Sequence, residues 1–81
     1  PAANLLGEEG RGFYQLMREL PQERLVQGIR AVAAAEAALQ WTLDYAVQRR
    51  MFGQTLADFQ NTRFKLAEMR ADTLAQRVFL D

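Results

Sequence analysis

Three short stretches carry the side chains that could do chemistry. The first, Glu19-Leu20-Pro21-Gln22-Glu23-Arg24-Leu25, sets the Glu23 carboxylate beside the Arg24 guanidinium near the start of the longest helical pattern in the chain. A carboxylate can accept a proton in a reaction, and a fixed guanidinium next to it would steady the charge. Glu23 also has an ordinary explanation: an acidic residue in the first turn of a helix complements the helix dipole. The second stretch, Tyr45-Ala46-Val47-Gln48-Arg49-Arg50-Met51-Phe52-Gly53, closes the same helix. Its two arginines sit where cations favour a helix C-terminus. The third, Leu56-Ala57-Asp58-Phe59-Gln60, opens the next helix.

The elements that must position these residues follow from periodicity. Phe13, Leu16, Met17 and Leu20 are apolar at i, i+3, i+4 and i+7, one face of a helix. Pro21 then removes a backbone donor and crowds the preceding turn, which predicts a kink or a fresh helix start. The expectation is a short helical turn over 11–19 and a main helix over 21–49. In that helix Leu25, Ile29, Val32, Leu39, Leu43 and Ala46 form one stripe, and Val26, Ala33, Ala37, Trp41 and Tyr45 a second. A helix apolar on more than one face needs several neighbours, so one partner helix cannot cover both. Trp41 and Tyr45 read as packing residues with a polar tip near water. Glu36 interrupts the alanine-rich centre, and it either pairs with an arginine of another helix or faces a polar interface.

Gly53 suits a helix C-terminal turn at positive φ. Thr55 and Asp58 have the spacing of a capping box for a second helix over 56–80, with Leu56, Phe59, Leu66, Met69, Thr73 and Leu80 as its stripe and Phe64, Ala71, Leu74 and Val78 flanking it. The short connection at 50–55 makes the two helices antiparallel. No strand pattern follows residue 12.

Composition narrows the chemistry. The 81 residues contain no cysteine and no histidine, which removes disulfides, thiolate nucleophiles, the commonest general base and the commonest metal ligand. A di-iron helical bundle is excluded on ligand type. Ten acidic and ten basic residues balance, so no basic excess points to nucleic acid or a membrane surface. No apolar run approaches the roughly 20 residues of a membrane span, and no signal peptide is visible. Gly7-Glu8-Glu9-Gly10-Arg11-Gly12 lacks the preceding strand and following Lys-Ser/Thr of a phosphate-binding loop, and its carboxylates would repel phosphate. The chain begins at Pro1 and stops at Phe79-Leu80-Asp81 inside a helical pattern, which reads as a piece of something larger.

In order and spacing the three stretches resemble the acyl-CoA dehydrogenase family, over nearly the whole chain. Leu20-Pro21-Gln22-Glu23-Arg24-Leu25 is similar to the start of the first helix of that family's C-terminal helical domain. Asn4 to Phe13 looks like the exit from its central β domain. Arg49-x-x-Phe52-Gly53 and Phe59-Gln60, followed by Lys65-Leu66-Ala67-Glu68-Met69, look like its FAD-contacting turn and following helix. The resemblance implies an all-α fold. Residues 1–12 would be a linker from the β domain, and 13–81 two long antiparallel helices, the first two of a four-helix-bundle domain.

The implied parent is a homotetrameric flavoprotein of fatty acid β-oxidation. It would oxidise an acyl-CoA to the trans-2-enoyl-CoA by α-proton abstraction and β-hydride transfer to FAD, with an electron-transferring flavoprotein as acceptor. In the long-chain and isovaleryl branch the base stands immediately before the arginine of this helix, the place of Glu23; most members carry it downstream. Gln22, Glu23 and Arg24 would contact substrate, although Pro21 departs from the acidic residue some relatives have. Arg49 would reach the pyrophosphate of a neighbouring subunit's FAD, since its planar fork pairs two phosphate oxygens. Met51, Phe52, Phe59 and Gln60 would line the same cofactor, though for Phe52 and Phe59 core packing is the alternative. The setting would be the cytoplasm of a bacterium or the mitochondrial matrix of a eukaryote, the former preferred.

Two other classes stand beside this reading. One is a helical hairpin that only oligomerises, as a dimer or higher bundle, and is inactive in isolation. The other is a nucleic-acid-binding hairpin, disfavoured by the zero net charge.

Overall fold

A computed structural model describes residues 1–81. The alanine- and leucine-rich sequence forms one helix, α1 (Gly12–Gln48), of 37 residues, and it continues unbroken through Pro21. The expected division into 11–19 and 21–49 is therefore corrected. Proline withholds the N–H that would have reached the Met17 carbonyl, at a cost of about 3 kcal/mol. Strong helix formers on both sides outweigh that loss, and Met17 is exposed, so water can satisfy its carbonyl.

α1 ends one residue before the arginine pair. Arg49 is extended (φ −70°, ψ 116°) and donates its N–H to the Tyr45 carbonyl. Arg49 is the C-cap and Arg50 opens the next strand, so both stand just past the last helical turn. Two short strands follow where none was expected: β1 (Arg50–Met51) pairs antiparallel with β2 (Gln54–Thr55), Arg50 opposite Thr55 and Met51 opposite Gln54. Phe52 (φ 52°) and Gly53 (φ 80°) make the two-residue connection. Both central residues at positive φ match the type I′ turn that fits strand twist. Gly53 thus serves a hairpin rather than a helix end.

Thr55 and Asp58 form the expected capping box. The Thr55 N–H and hydroxyl donate to Asp58 Oδ2 at 2.8 and 2.7 Å. They cap a 3₁₀ turn, Leu56–Asp58, and the second helix, α2 (Gln60–Leu80), starts only after an extended Phe59. The Thr55 hydroxyl, then its N–H, hold the Asp58 carboxyl below the usual carboxylate range. A carboxyl depressed in the folded state adds stability above its unfolded value of 3.8, and that stability disappears as pH falls through the lower folded value. Circular-dichroism melts of the hairpin should therefore lose midpoint below about pH 4, and Asp58→Ala should lower the pH 7 midpoint and flatten that acid limb.

The helices pack antiparallel through two rows at seven-residue spacing. Val32, Leu39 and Ala46 are the buried residues of α1, and the facing row of Phe59, Leu66, Thr73 and Leu80 is buried or half-buried. This is a coiled-coil-like seam. The buried Thr73 hydroxyl donates to the Met69 carbonyl at 2.7 Å. A Cβ on Gly28 would stand 3.1 Å from Leu80 Cδ2, so an alanine there would make the Leu80 side chain give by a few tenths of an ångström. Glu36 takes the first of its two expected roles and pairs with Arg77 of α2 at 3.7 Å.

Beyond Gly28 the seam has no partner. Residues 12–27 of α1 extend past the end of α2 by roughly 24 Å. Leu25, expected in the same stripe as Val32, is therefore exposed; Ile29, expected there too, is exposed because it falls off the seven-residue row of the seam. Met69 is exposed as well, and so is the second stripe apart from a half-buried Ala37, with Val26, Tyr45 and a 71% exposed Trp41. Only four of 81 residues are buried, in a body of 72 × 25 × 16 Å. The chain is all-α apart from the small hairpin, with two helices of the bundle expected, and no helix is long and apolar enough to cross a membrane.

Candidate functional site

The overhanging part of α1 carries the first cluster. Glu19, Leu20, Gln22, Glu23, Arg24, Val26 and Gln27 line a shallow hollow there. Glu23 is the twelfth residue of α1, three turns from its start. The dipole explanation fails for it, because that effect fades within the first turn. Glu23 and Arg24 are adjacent in sequence but form no ion pair, since neighbouring helical residues point about 100° apart. Arg24 also borders a crevice between the helices with Gly28, Ala31, Asp72, Thr73 and Leu80. The expected steadying of Glu23 by Arg24 is thus absent. Glu23 is solvent-exposed on this chain. The apolar cover that makes a carboxylate a better base has to come from a substrate or another surface.

The hairpin carries the second cluster. Arg50 is committed to it, donating from Nη2 to the Gly53 carbonyl at 3.1 Å. Arg49 is exposed and in no ion pair. Phe52 combines a left-handed backbone with a side chain 89% exposed. That conformation costs a residue with a Cβ about 1–2 kcal/mol, and such strain concentrates at binding sites. Met51 is exposed beside it and Phe59 half-buried beneath the start of α2. Gln60 borders a hollow with Asp58, Arg63, Phe64 and Ala67. Arg63 was not singled out from sequence, and Phe64 was read only as a packing residue of the flanking row; their i+3 and i+4 spacing from Gln60 is the signal that would have placed them beside it.

Asn-Gly is the preferred pair for a type I′ turn, so Phe52→Asn should raise the stability of the hairpin by about 1 kcal/mol. Urea titration followed by circular dichroism reads that change; an unchanged or lower midpoint would show that Phe52 is not strained.

The two clusters are far apart along one helix, the first three turns inside its start and the second just past its end. Glu23 and Arg49 are twenty-six residues apart, roughly 39 Å along α1. One end offers a carboxylate, an amide and a guanidinium, and the other an unpaired guanidinium, an amide and strained or half-buried aromatics. A family model for the acyl-CoA dehydrogenase C-terminal domain matches residues 10–80. The chain belongs to the acyl-CoA dehydrogenase family. It is 48% identical, over its whole length, to the mitochondrial long-chain specific acyl-CoA dehydrogenase of Sus scrofa, of which it covers 19%. It is 44% identical over 77 residues to the short-chain specific acyl-CoA dehydrogenase of Megasphaera elsdenii, covering 95% of this chain and 20% of that one. To the mitochondrial isovaleryl-CoA dehydrogenase of Oryza sativa subsp. japonica it is 38% identical over 80 residues, covering 99% and 20%. Acyl-CoA dehydrogenases of several branches therefore match, and no single branch is set apart. The chain spans about a fifth of the length of these curated relatives. No solved structure matches it.

Proposed function

We propose that this chain supplies two half-sites of an FAD-dependent acyl-CoA dehydrogenase, each completed by a different copy of the protein. The observation that supports it is the separation of Glu23 from Arg49 by roughly 39 Å of unbroken helix, further than one flavin cofactor reaches. A single chain cannot bring both residues to one cofactor. In an oligomer, Glu23 of one copy and Arg49 of another can meet at the same FAD.

At the substrate half-site, Glu23 takes the α-proton of the acyl thioester. Gln22 and Arg24 hold the polar part of the substrate beside it, and the acyl chain itself excludes water from the carboxylate. At the cofactor half-site the donor set fits FAD: the free Arg49 fork suits a pyrophosphate, the Gln60 amide can donate and accept, and Met51, Phe52 and Phe59 offer apolar contact. FAD, when bound, supplies acceptance of the β-hydride and onward electron transfer to an electron-transferring flavoprotein. The product is the trans-2-enoyl-CoA.

Subunit mixing tests this. Full-length proteins carrying Glu23→Gln or Arg49→Ala should each be inactive alone. Co-assembled, a mixed pair regains one intact site, with Glu23 from the second variant and Arg49 from the first. Activity that never recovers on co-assembly would place both residues in one site and defeat the proposal.

The exposed apolar stripes favour a second, compatible reading, that the hairpin is itself an assembly module. Unpartnered apolar surface on this scale is costly in water. The isolated 81-residue chain should then run as a dimer or larger by light scattering; a monomeric mass at high micromolar concentration would count against it.

A further inference from the structure

The cofactor half-site is split between two pieces of chain. The hairpin carries Arg49, Met51 and Phe52, and the start of α2 carries Phe59 and Gln60. Groups that share one ligand have to be held to within roughly half an ångström of the productive arrangement, so the joint between the pieces matters. Before the joint the hairpin is closed. Arg50 pairs with Thr55, and the Leu56 N–H donates to the Arg49 carbonyl at 2.7 Å. After it α2 is regular, starting with the Arg63 N–H on the Phe59 carbonyl at 3.0 Å. Within the joint the Phe59 N–H reaches the Leu56 carbonyl at a long 3.3 Å.

Asp58 ties this joint together. Its Oδ2 accepts both the Thr55 N–H at 2.8 Å and the Thr55 hydroxyl at 2.7 Å, and its own backbone leads directly into Phe59. A capping box ordinarily serves the helix it opens. Here α2 begins only after Phe59, which provides no side-chain cap, and no acidic residue lies in its first turn. The box closes instead the single turn, Leu56–Asp58, that joins hairpin to helix. The Asp58 carboxylate is in no salt bridge. Arg50 of β1 and Arg63 of α2 are the charged groups that bear on it.

We infer, on the dehydrogenase reading above, that Asp58 is a positioning residue of the FAD half-site: through Thr55 it holds the hairpin that carries Arg49 in register with the Gln60 amide. It acts through Thr55 and not through contact with the cofactor. Leu56, Ala57 and Phe59 are half-buried, so the turn stays packed when the carboxylate is removed. What is lost is the fixed relation between the two pieces. FAD then has to order the joint as it binds, which lowers affinity and leaves the chemistry at Glu23 untouched.

The test is reconstitution of the full-length apoprotein with FAD, read by flavin fluorescence. In Asp58→Ala, Kd for FAD should rise about fivefold or more, with kcat at saturating FAD within about twofold and KM for acyl-CoA unchanged. Thr55→Val should weaken FAD in the same direction, and Thr55→Ser, which keeps the hydroxyl, should bind as the parent does. Glu36→Gln controls for general loosening. It removes the ion pair to Arg77, roughly 20 Å along α1 from Arg49, and should leave Kd unchanged. An unchanged Kd in Asp58→Ala, a fall in kcat at saturating FAD, or an equal rise of Kd in Glu36→Gln would overturn the inference. If Arg49→Ala and Gln60→Ala also leave Kd unchanged, the reading of this end as a cofactor half-site fails, and this one with it; if they weaken FAD and Asp58→Ala does not, only this inference falls.

Discussion

On the proposed function, replacing Glu23 by Gln in the full-length, FAD-loaded protein is expected to slow substrate-induced bleaching of the oxidised flavin by roughly 10²–10⁴-fold or more. FAD and acyl-CoA should still bind, because the amide keeps the shape and loses only the basic oxygen. The structure sharpens this expectation by removing the ordinary reason for a glutamate here. Glu23 is three turns inside α1, pairs with no cation and packs under nothing on this chain. A stopped-flow trace under anaerobic conditions decides it. Bleaching at the unaltered rate would place the base elsewhere in the protein and leave Glu23 a solvated carboxylate on an exposed stretch of helix.

The second large effect is expected at the other end of α1. Arg49→Ala should weaken FAD binding by about a hundredfold or more, because removing one member of a desolvated charge pair also strands its partner. Arg49→Lys should recover only part, as a point charge cannot match the planar fork. Arg50→Ala is the built-in control. Its guanidinium is committed to the Gly53 carbonyl at 3.1 Å, so its loss should loosen the hairpin while changing FAD affinity only a few-fold. The ratio of flavin to protein absorbance after gel filtration separates the two variants. Equal FAD retention by Arg49→Ala and the parent protein would remove Arg49 from the cofactor site.

The features legible in the sequence are those set by near neighbours. Thr55 and Asp58, three residues apart, bond as their spacing says. The row of Phe59, Leu66, Thr73 and Leu80 was visible as a stripe and packs as one, and Glu36 found its arginine. What stayed hidden depended on competition or on distant chain. Whether Pro21 stops a helix is settled by the propensity on both sides of it, not by proline alone. The hairpin escaped notice because two-residue strands show no alternation, and because Phe52 occupies a turn position where asparagine or glycine is usual. Leu25 carries the same apolar signal as Val32, and its exposure follows from where α2 stops, opposite Gly28. For the site, the residue types were legible one by one. Their separation was not, since it depends on α1 being unbroken.

That unbroken helix sets a tolerance on the gene as well as on the fold. One residue inserted or deleted between Glu23 and Arg49 would turn one cluster about 100° relative to the other and move it about 1.5 Å. Both half-sites would survive in isolation, yet neither would meet its counterpart in the same register. The loop before Gly12 is under no such restraint and can gain or lose residues with little cost. On that proposal α1 acts as a ruler with a fixed number of graduations: its exposed side chains outside the two clusters can vary, and its length cannot.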